Sequence, residues 1–416
     1  MTAKQFLEFL SEQQLRAGAL REQIDAIGTA LADHGYAPST TREQVRLVAH
    51  LGRWLERQHL SVADLDELCV ARFLAHRRRC RLKPRSNGST LRLVLGLMRG
   101  RGVVRQPLAE DASKVGPIAR VEGEFTRYLV EERGLCASTR VHYVRCVRRL
   151  LSRLFGTGPV KLAELRPDDI TRFIVRETRT AGPARMKVVV PALRAFLRWA
   201  NVRGEIPTDL TGCVPRVAAR RLATLPKSIA TEQVEHLLRC CHRTTPTGRR
   251  DRAILLLLAR LGLRACEVVA MELDDIDWEA GDLLVRGKGG RHERLPLPQD
   301  VGAALTDYLR HGRPKCSTRR LFVRAKAPRR GFLTSAAICD VVKRGMSRAG
   351  LEPPRKGAHV LRHALACTML RRGASMPEIS EVLRHRSLDT TALYAKVDVV
   401  ALRAIASAWP STAGDT

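Results

Sequence analysis

Six side chains stand out for what they could do together: Arg264, Lys288, His359, Arg362, His385 and Tyr394. Tyr394 is one of only five tyrosines, and it follows His385 by nine residues in the stretch LRHRSLDTTALY. A phenol becomes a useful nucleophile when a base or a cationic field helps its proton away, because its free pKa is about 10. Two arginine forks suit the extra negative charge that builds on phosphorus oxygens during attack. A lysine can hand a proton to a departing 5′ oxygen, and histidines move protons near neutral pH. The set as a whole suits attack on a phosphodiester. No P-loop pattern accompanies Lys288 in GKGGR, and no carboxylate cluster for a pair of metal ions is evident in the sequence. The cations are therefore expected to do the work of a metal.

Singly, each residue has a plainer reading. Arg264, in RLGLRACEVV, opens a helix at a glycine-marked break, where a cation opposes the helix dipole and Glu267 three residues on can brace it. Lys288 sits in a short connection between two strand-like segments, 282–287 and 292–297, where a turn lysine is ordinarily just solvated. His359 and Arg362, three apart in AHVLRHALACTML, share a helix face, and His363 is expected to point elsewhere. Arg386-Ser387 marks a turn between His385 and Tyr394.

The elements that must position these residues sit in a basic chain. Its 416 residues are too many for one ordinary core, and 44% hydrophobic content is enough to bury several. The formal charge of +31, carried mostly by arginine, points to a polyanion, with nucleic acid ahead of an anionic membrane surface. No apolar run approaches the roughly 18 residues of a membrane span, and the N-terminus lacks a signal-peptide centre. A cytoplasmic, nucleoid-associated protein is expected. The 11 cysteines are scattered and odd in number, so neither a disulfide framework, a metal site nor thiol chemistry is expected.

The first half repeats itself. Ser39, Thr40, Val45, Val48, Leu51 and Leu55 recur, 99 positions on, as Ser138, Thr139, Val144, Val147, Leu150 and Leu154. Ala63, Leu65, Arg72 and Phe73 recur 100 positions on as Ala163, Leu165, Arg172 and Phe173. Apolar residues three and four apart make these stretches amphipathic helices, and each Ser-Thr pair is expected to cap one. Further helical segments are expected at 89–99 and 186–200. Residues 206–228, with prolines and clustered arginines, read as a basic linker. From 229 onward helices surround one hairpin, and 399–409 reads as a short helix before a disordered tail.

The ordered set Arg264 in GLRACEV, Lys288 on the hairpin, His359-x-x-Arg362, His385 and Tyr394 resembles the tyrosine recombinases of the phage integrase family. The likeness is strong over 225–398 and weaker over 118–205. Two departures are Arg384, where glycine commonly precedes the histidine, and Ala364, where a hydroxyl residue is common. The resemblance implies a mainly α protein with a small antiparallel β-sheet in the catalytic domain. The additional helical domain expected at 1–110 lies outside the minimal family pattern, and the internal repeat makes it a candidate duplicate of the core-binding unit. A SAM-like core-binding domain would follow at 117–205, a linker at 206–228, a catalytic domain at 229–398, and a helix and tail at 399–416.

By the same resemblance, Tyr394 would attack the scissile phosphate and form a 3′-phosphotyrosine. Arg264 and Arg362 would hold the phosphate oxygens and Lys288 would protonate the 5′ oxygen. His359 would assist the tyrosine proton, His385 would bond the phosphate, and Glu267 would orient the site. The bond energy is conserved, so neither ATP, metal nor other cofactor is implied. Exchange would run through a Holliday junction in a homotetramer on two DNA duplexes, with related recombinases or DNA-bending proteins as further partners. The tail helix would pack on a neighbouring protomer or on its own domain. Integration, excision or transposition of a mobile element is preferred over dimer resolution. Arg77, Arg78, Arg79, Arg81 and Lys83, with Arg220 and Arg221 of the linker, are the expected DNA contacts. The rival readings are a type IB topoisomerase, a DNA-binding regulator without catalysis, and a basic structural protein.

Overall fold

Gly35 and Gly134, 99 positions apart, both follow the end of a helix with left-handed backbone, φ +77° and +53°. Around each glycine the chain runs through the same order of elements as far as the 3₁₀ turn, after which the first pass has two helices and the second one. This is seen in a computed structural model that describes residues 18–80, 87–105, 116–215, 228–287, 291–385, 390, 391 and 394. The first pass is α1 (Ile24–Asp33), α2 (Pro38–Arg57), a 3₁₀ turn at Val62–Asp64, α3 (Glu67–Arg79) and α4 (Asn87–Gly100). The second is α5 (Pro117–Glu131), α6 (Ala137–Phe155), a 3₁₀ turn at Leu162–Glu164 and α7 (Pro167–Val202). Repeated positions do the same work. Val48 and Val147, Leu51 and Leu150, Leu65 and Leu165, and Phe73 and Phe173 are all buried in their respective cores.

Three expectations change here. The Ser-Thr pairs do not cap: Ala37 and Cys136 occupy the cap positions, and Ser39-Thr40 and Ser138-Thr139 lie inside the first turn. Pro38 at the first helical position, where no N–H is needed, is what starts α2. The segment 186–200 is not a separate helix but the second half of one 36-residue helix. Phe173 and Ile174 in one half, and Val189, Leu193 and Phe196 in the other, are buried in a single core, which outweighs the exposed Pro191. Residues 206–215 are not linker. Ile206, Leu210 and Val214, at helix-like intervals, close the same core, and Arg194 donates to the Val214 carbonyl at 2.8 Å.

The remaining elements are α8 (Thr231–Arg239), α9 (Pro246–Arg260), α10 (Ala265–Ala270), β1 (Ile276–Asp277), β2 (Asp282–Arg286), β3 (His292–Pro296), α11 (Gln299–His311), α12 (Ser335–Arg348), α13 (Ala358–Arg371) and α14 (Met376–Val382). The strands form one antiparallel sheet in the order β1-β2-β3, with Asp282 opposite Pro296 and Arg286 opposite His292. The expected hairpin is therefore present, and β1 adds a strand too short for any alternation to announce. The centre of this core is α9. Ile254 to Leu258 are all buried, so the helix is apolar on every side. The fold is mainly α with one small sheet. No helix among the described residues is long and apolar enough to cross a membrane.

By contacts the chain divides into two compact units, Met1–Val104 with Leu222–Thr416, and Arg105–Arg221. Within the first, the Arg329 N–H donates to the His34 carbonyl at 2.8 Å, and the Arg329 side chain fills the space that a side chain at position 35 would need. Phe173→Ala should cost its own unit about 3–5 kcal/mol. Hydrogen exchange should show lost protection within 116–215 while α9 keeps its own.

Candidate active site

The site is built around a sharp exit from α9. Gly262 turns the chain with φ +56°, and a Cβ there would come within 2.8 Å of Leu383 Cδ2. Only glycine meets both demands. Two residues later Arg264 caps α10, and Glu267 in the first turn answers it twice. The Arg264 backbone N–H donates to Oε2 at 2.8 Å and its Nη1 to Oε1 at 2.6 Å. The carboxylate is 2% exposed and offsets a cation at a helix N-terminus. Nη2 of Arg264 then donates to the Arg384 carbonyl at 2.8 Å.

Arg362, on α13, reaches the same corner from the other side. It is buried, and donates to the carbonyls of Gly262 and Leu383. Burial first, and then the neighbouring Arg264 and Arg384, lower its pKa to about 10. It remains a cation at neutral pH. Leu383 and Arg384 thus supply carbonyls to both arginines, and His385 comes next in the chain.

Tyr394 packs in a small core with Ala366, Cys367, Ile379 and Leu383, 2% exposed. Burial pushes its phenol up to about 12, against the pull of Arg362. Its ring lies parallel to His385, 4° between planes and 6.4 Å between centroids. His385 Nδ1 is 2.7 Å from Thr391 Oγ1. Burial, followed by Arg362 and Arg264, lowers this imidazole to about 4.

The expectation that His363 points elsewhere is overturned. His363 Nδ1 lies 2.7 Å from Tyr394 Oη. His359, Arg362 and His363 stand at i, i+3 and i+4, one face of one helix, so the signal is present in the sequence. Burial, then His359 and Arg362, lower His363 to about 4. His359 stands edge-on to His363, ring centroids 5.9 Å apart, and burial lowers its pKa as well.

Arg264, Glu267, Arg362, His385 and Tyr394 are thereby brought together, with His359 joined to them through His363. Lys288, Arg81, Lys83, Arg220 and Arg221 lie outside the described residues. Arg78 and Arg79 are exposed at the end of α3. Arg77 is turned inward instead. Its Nη1 is 2.5 Å from His50 Nδ1, and its guanidinium sits 5.8 Å from the centre of the Phe73 ring.

Comparison with known proteins points to one family. The profile described as Phage integrase family matches residues 227–400, and that described as Phage integrase, N-terminal SAM-like domain matches 123–204. A candidate integrase/recombinase of Sinorhizobium fredii, y4rA, is 43% identical over 384 residues, 92% of this chain and 93% of that protein. The tyrosine recombinase XerD of Mycobacterium tuberculosis is 33% identical over 299 residues, 68% of this chain and 94% of that protein. The chain belongs to the phage integrase family. It is a site-specific tyrosine recombinase. The crystal structure of XerH site-specific recombinase bound to palindromic difH substrate has the same fold, with a TM-score of 0.54 at 20% identity over 73% of this chain and 99% of that one.

Against the family pattern, Arg384 is the departure with structural content. It ends α14 in a Schellman turn: its N–H donates to the Glu381 carbonyl at 2.8 Å, and the His385 N–H to the Ser380 carbonyl at 2.9 Å. That turn needs a left-handed residue, and Arg384 has φ +54°. Glycine takes this conformation freely, whereas an L side chain pays about 1–2 kcal/mol. The arginine offsets this with its side chain, 6% exposed, whose Nη2 donates to Glu267 Oε2 at 3.1 Å. Its Nε is 3.8 Å from Glu293 of β3. Ala364, by contrast, is simply buried in the main core.

Two outcomes are expected. Arg384→Gly removes a charge-assisted bond and relieves the backbone, so its net loss should be about 1 kcal/mol. Arg384→Ala loses the bond and keeps the strain, and should be less stable than the glycine variant by about another 1 kcal/mol in urea unfolding. The second outcome concerns pH. His363 and His385 protonate near pH 6.5 when unfolded and near pH 4 when folded. Their contribution is complete above pH 6.5 and is lost as pH falls toward 4, because the unfolded chain binds more protons there. The urea midpoint should fall between pH 6.5 and 4, and less steeply in His363→Asn.

Proposed function

We propose that Tyr394 attacks the scissile phosphate of double-stranded DNA and holds the cut strand as a 3′-phosphotyrosine. The observation that carries this is the shared corner at 383–385. Arg362 donates to the Leu383 carbonyl and Arg264 to the Arg384 carbonyl, while His385 lies parallel to the tyrosine ring. Two cations are fixed on one short segment, and the phenol's ring lies parallel to the histidine that ends it. In this reading Arg264 and Arg362 hold the non-bridging oxygens, whose charge grows during attack. Lys288 protonates the 5′ oxygen, His385 bonds the phosphate, and Glu267 positions Arg264. His359 acts behind His363 rather than on the tyrosine directly. A 5′ hydroxyl from a partner duplex reverses the step, so the reaction needs neither ATP nor a metal.

The wider assignment follows from the same reading. The unit at 116–215 is the core-binding domain and the unit at 18–104 its duplicate, gripping DNA through Arg78 and Arg79 at the end of α3, with Arg81, Lys83, Arg220 and Arg221 as further phosphate contacts. The y4rA match spans 92% of the chain and so includes most of that first unit, whereas the XerD match covers 68%. This favours a mobile-element recombinase that integrates, excises or transposes over a housekeeping resolvase. Exchange occurs in a homotetramer on two duplexes, on nucleoid DNA in the cytoplasm; the segment 399–416, expected as a helix and tail, lies outside the described residues.

The test is covalent capture. Tagged wild type and Tyr394→Phe are expressed in cells, denatured without crosslinker, and the attached DNA is sequenced. DNA on the wild type and none on the phenylalanine variant is the expected result, and the recovered sequence gives the site. Specific binding with no covalent DNA on either protein, with a nicked form of the bound duplex also failing to trap the adduct, would instead mark a regulator.

A further inference from the structure

We infer that His363 is the group that takes the proton from Tyr394 as its phenol attacks, an inference that rests on the strand-transfer reading above. Its Nδ1 is 2.7 Å from Tyr394 Oη, within reach for a base and the proton it removes, and the two rings meet edge-on with centroids 5.6 Å apart. The other histidines are placed for different work. His385 lies flat against the tyrosine ring and points its Nδ1 at Thr391. His359 stands behind His363.

The resting pair is neutral. Burial raises the phenol to about 12 and lowers the imidazole to about 4. A neutral imidazole with its proton on Nε2 accepts the phenol O–H at Nδ1, and this is the tautomer the proposed step requires. With the two values so far apart, the proton does not leave before attack begins. It moves as the new bond forms. The O–H bond of Tyr394 breaks and its proton goes to Nδ1, while an oxygen lone pair forms the bond to phosphorus. The bond from phosphorus to the 5′ oxygen breaks, that oxygen keeps the electron pair, and it takes a proton from Lys288. His363 is left as an imidazolium, beside a phosphodiester whose negative charge favours the protonated ring. Reversal returns both protons.

A base is distinguished from a prop by changing the acidity of the phenol. His363→Asn keeps a hydrogen-bond acceptor near the Nδ1 position but cannot hold a proton. The full chain would carry tyrosine or a more acidic difluorotyrosine at position 394, and each would be given a nicked duplex of the sequence recovered by covalent capture. We expect His363→Asn to form adduct more slowly by roughly a hundredfold or more. Difluorotyrosine should restore most of that loss in the His363→Asn chain and alter the wild type little. Both arms of that comparison share the same substitution, so a folding defect cannot produce the recovery. Equal losses with either phenol, or adduct formation in His363→Asn as fast as in the wild type, would overturn the assignment. No adduct on the wild type would overturn the strand-transfer reading and this one with it. The two failures are thus told apart.

Discussion

The arrangement depends on one buried carboxylate, Glu267. Its Oε1 accepts from Arg264, and its Oε2 accepts from the Arg264 backbone and from Arg384. Isolated, such a group would be costly to bury, and pairing alone rarely makes burial favourable. What it contributes is placement. Three donors from two distant parts of the chain can share one carboxylate in very few ways. Once Glu267 holds Arg264 at the start of α10 and Arg384 at the end of α14, the carbonyls of 383 and 384 must face the two arginines. The direction in which the chain leaves toward His385 is then set.

That placement explains the electrostatic state of the site. Arg264, Arg362 and Arg384 crowd one corner, with Glu267 as their fully buried partner and Glu293 a looser one at 3.8 Å. Burial and then its neighbours lower the pKa of Arg362, and His385 is lowered by burial and by the same cluster of cations. A site with surplus positive charge and neutral histidines is short of one thing, an anion. A phosphodiester entering it would relieve the repulsion among the arginines. It would also make protonation of the histidines less costly. The resting site is therefore matched to a reaction state in which a phosphate is already present.

Much of this is legible in the amino-acid sequence. The order Arg264, Lys288, His359, Arg362, His385, Tyr394 carries the proposed chemistry, and the strand segments on either side of Lys288 pair where their composition places them. The departures have physical causes. His363 reads as a mere neighbour of Arg362, although its i, i+4 relation to His359 places it on the working face. Arg384 reads as a harmless replacement of glycine, since a sequence does not display the sign of φ or the Glu267 that compensates it. Residues 206–215 resemble a linker by their two prolines and the arginines that follow, although Ile206, Leu210 and Val214 at intervals of four announce a buried face. Composition and periodicity point in opposite directions there, and the core shows that periodicity is the better guide.

The duplicated unit shows how little of a repeat's chemistry its geometry preserves. In the second copy Arg149 donates to Glu177 at 3.1 Å. The equivalent positions of the first copy are His50 and Arg77, and these also meet, at 2.5 Å, with the cation now on the other helix. Burial, and then Arg77 with other nearby cations, lower the His50 pKa, which favours the neutral ring that can accept at Nδ1. The two helices thus meet at equivalent positions in both units, through an ion pair in one and a histidine with a cation in the other. In that contact the first unit has the positive charge of Arg77 where the second has a carboxylate. Packing constrains where the helices meet, and the requirement on the pair is only that one side donate and the other accept. The net charge at that contact is thereby freer to differ between the units than the packing is, and in the first unit it is of the sign that a phosphate backbone attracts.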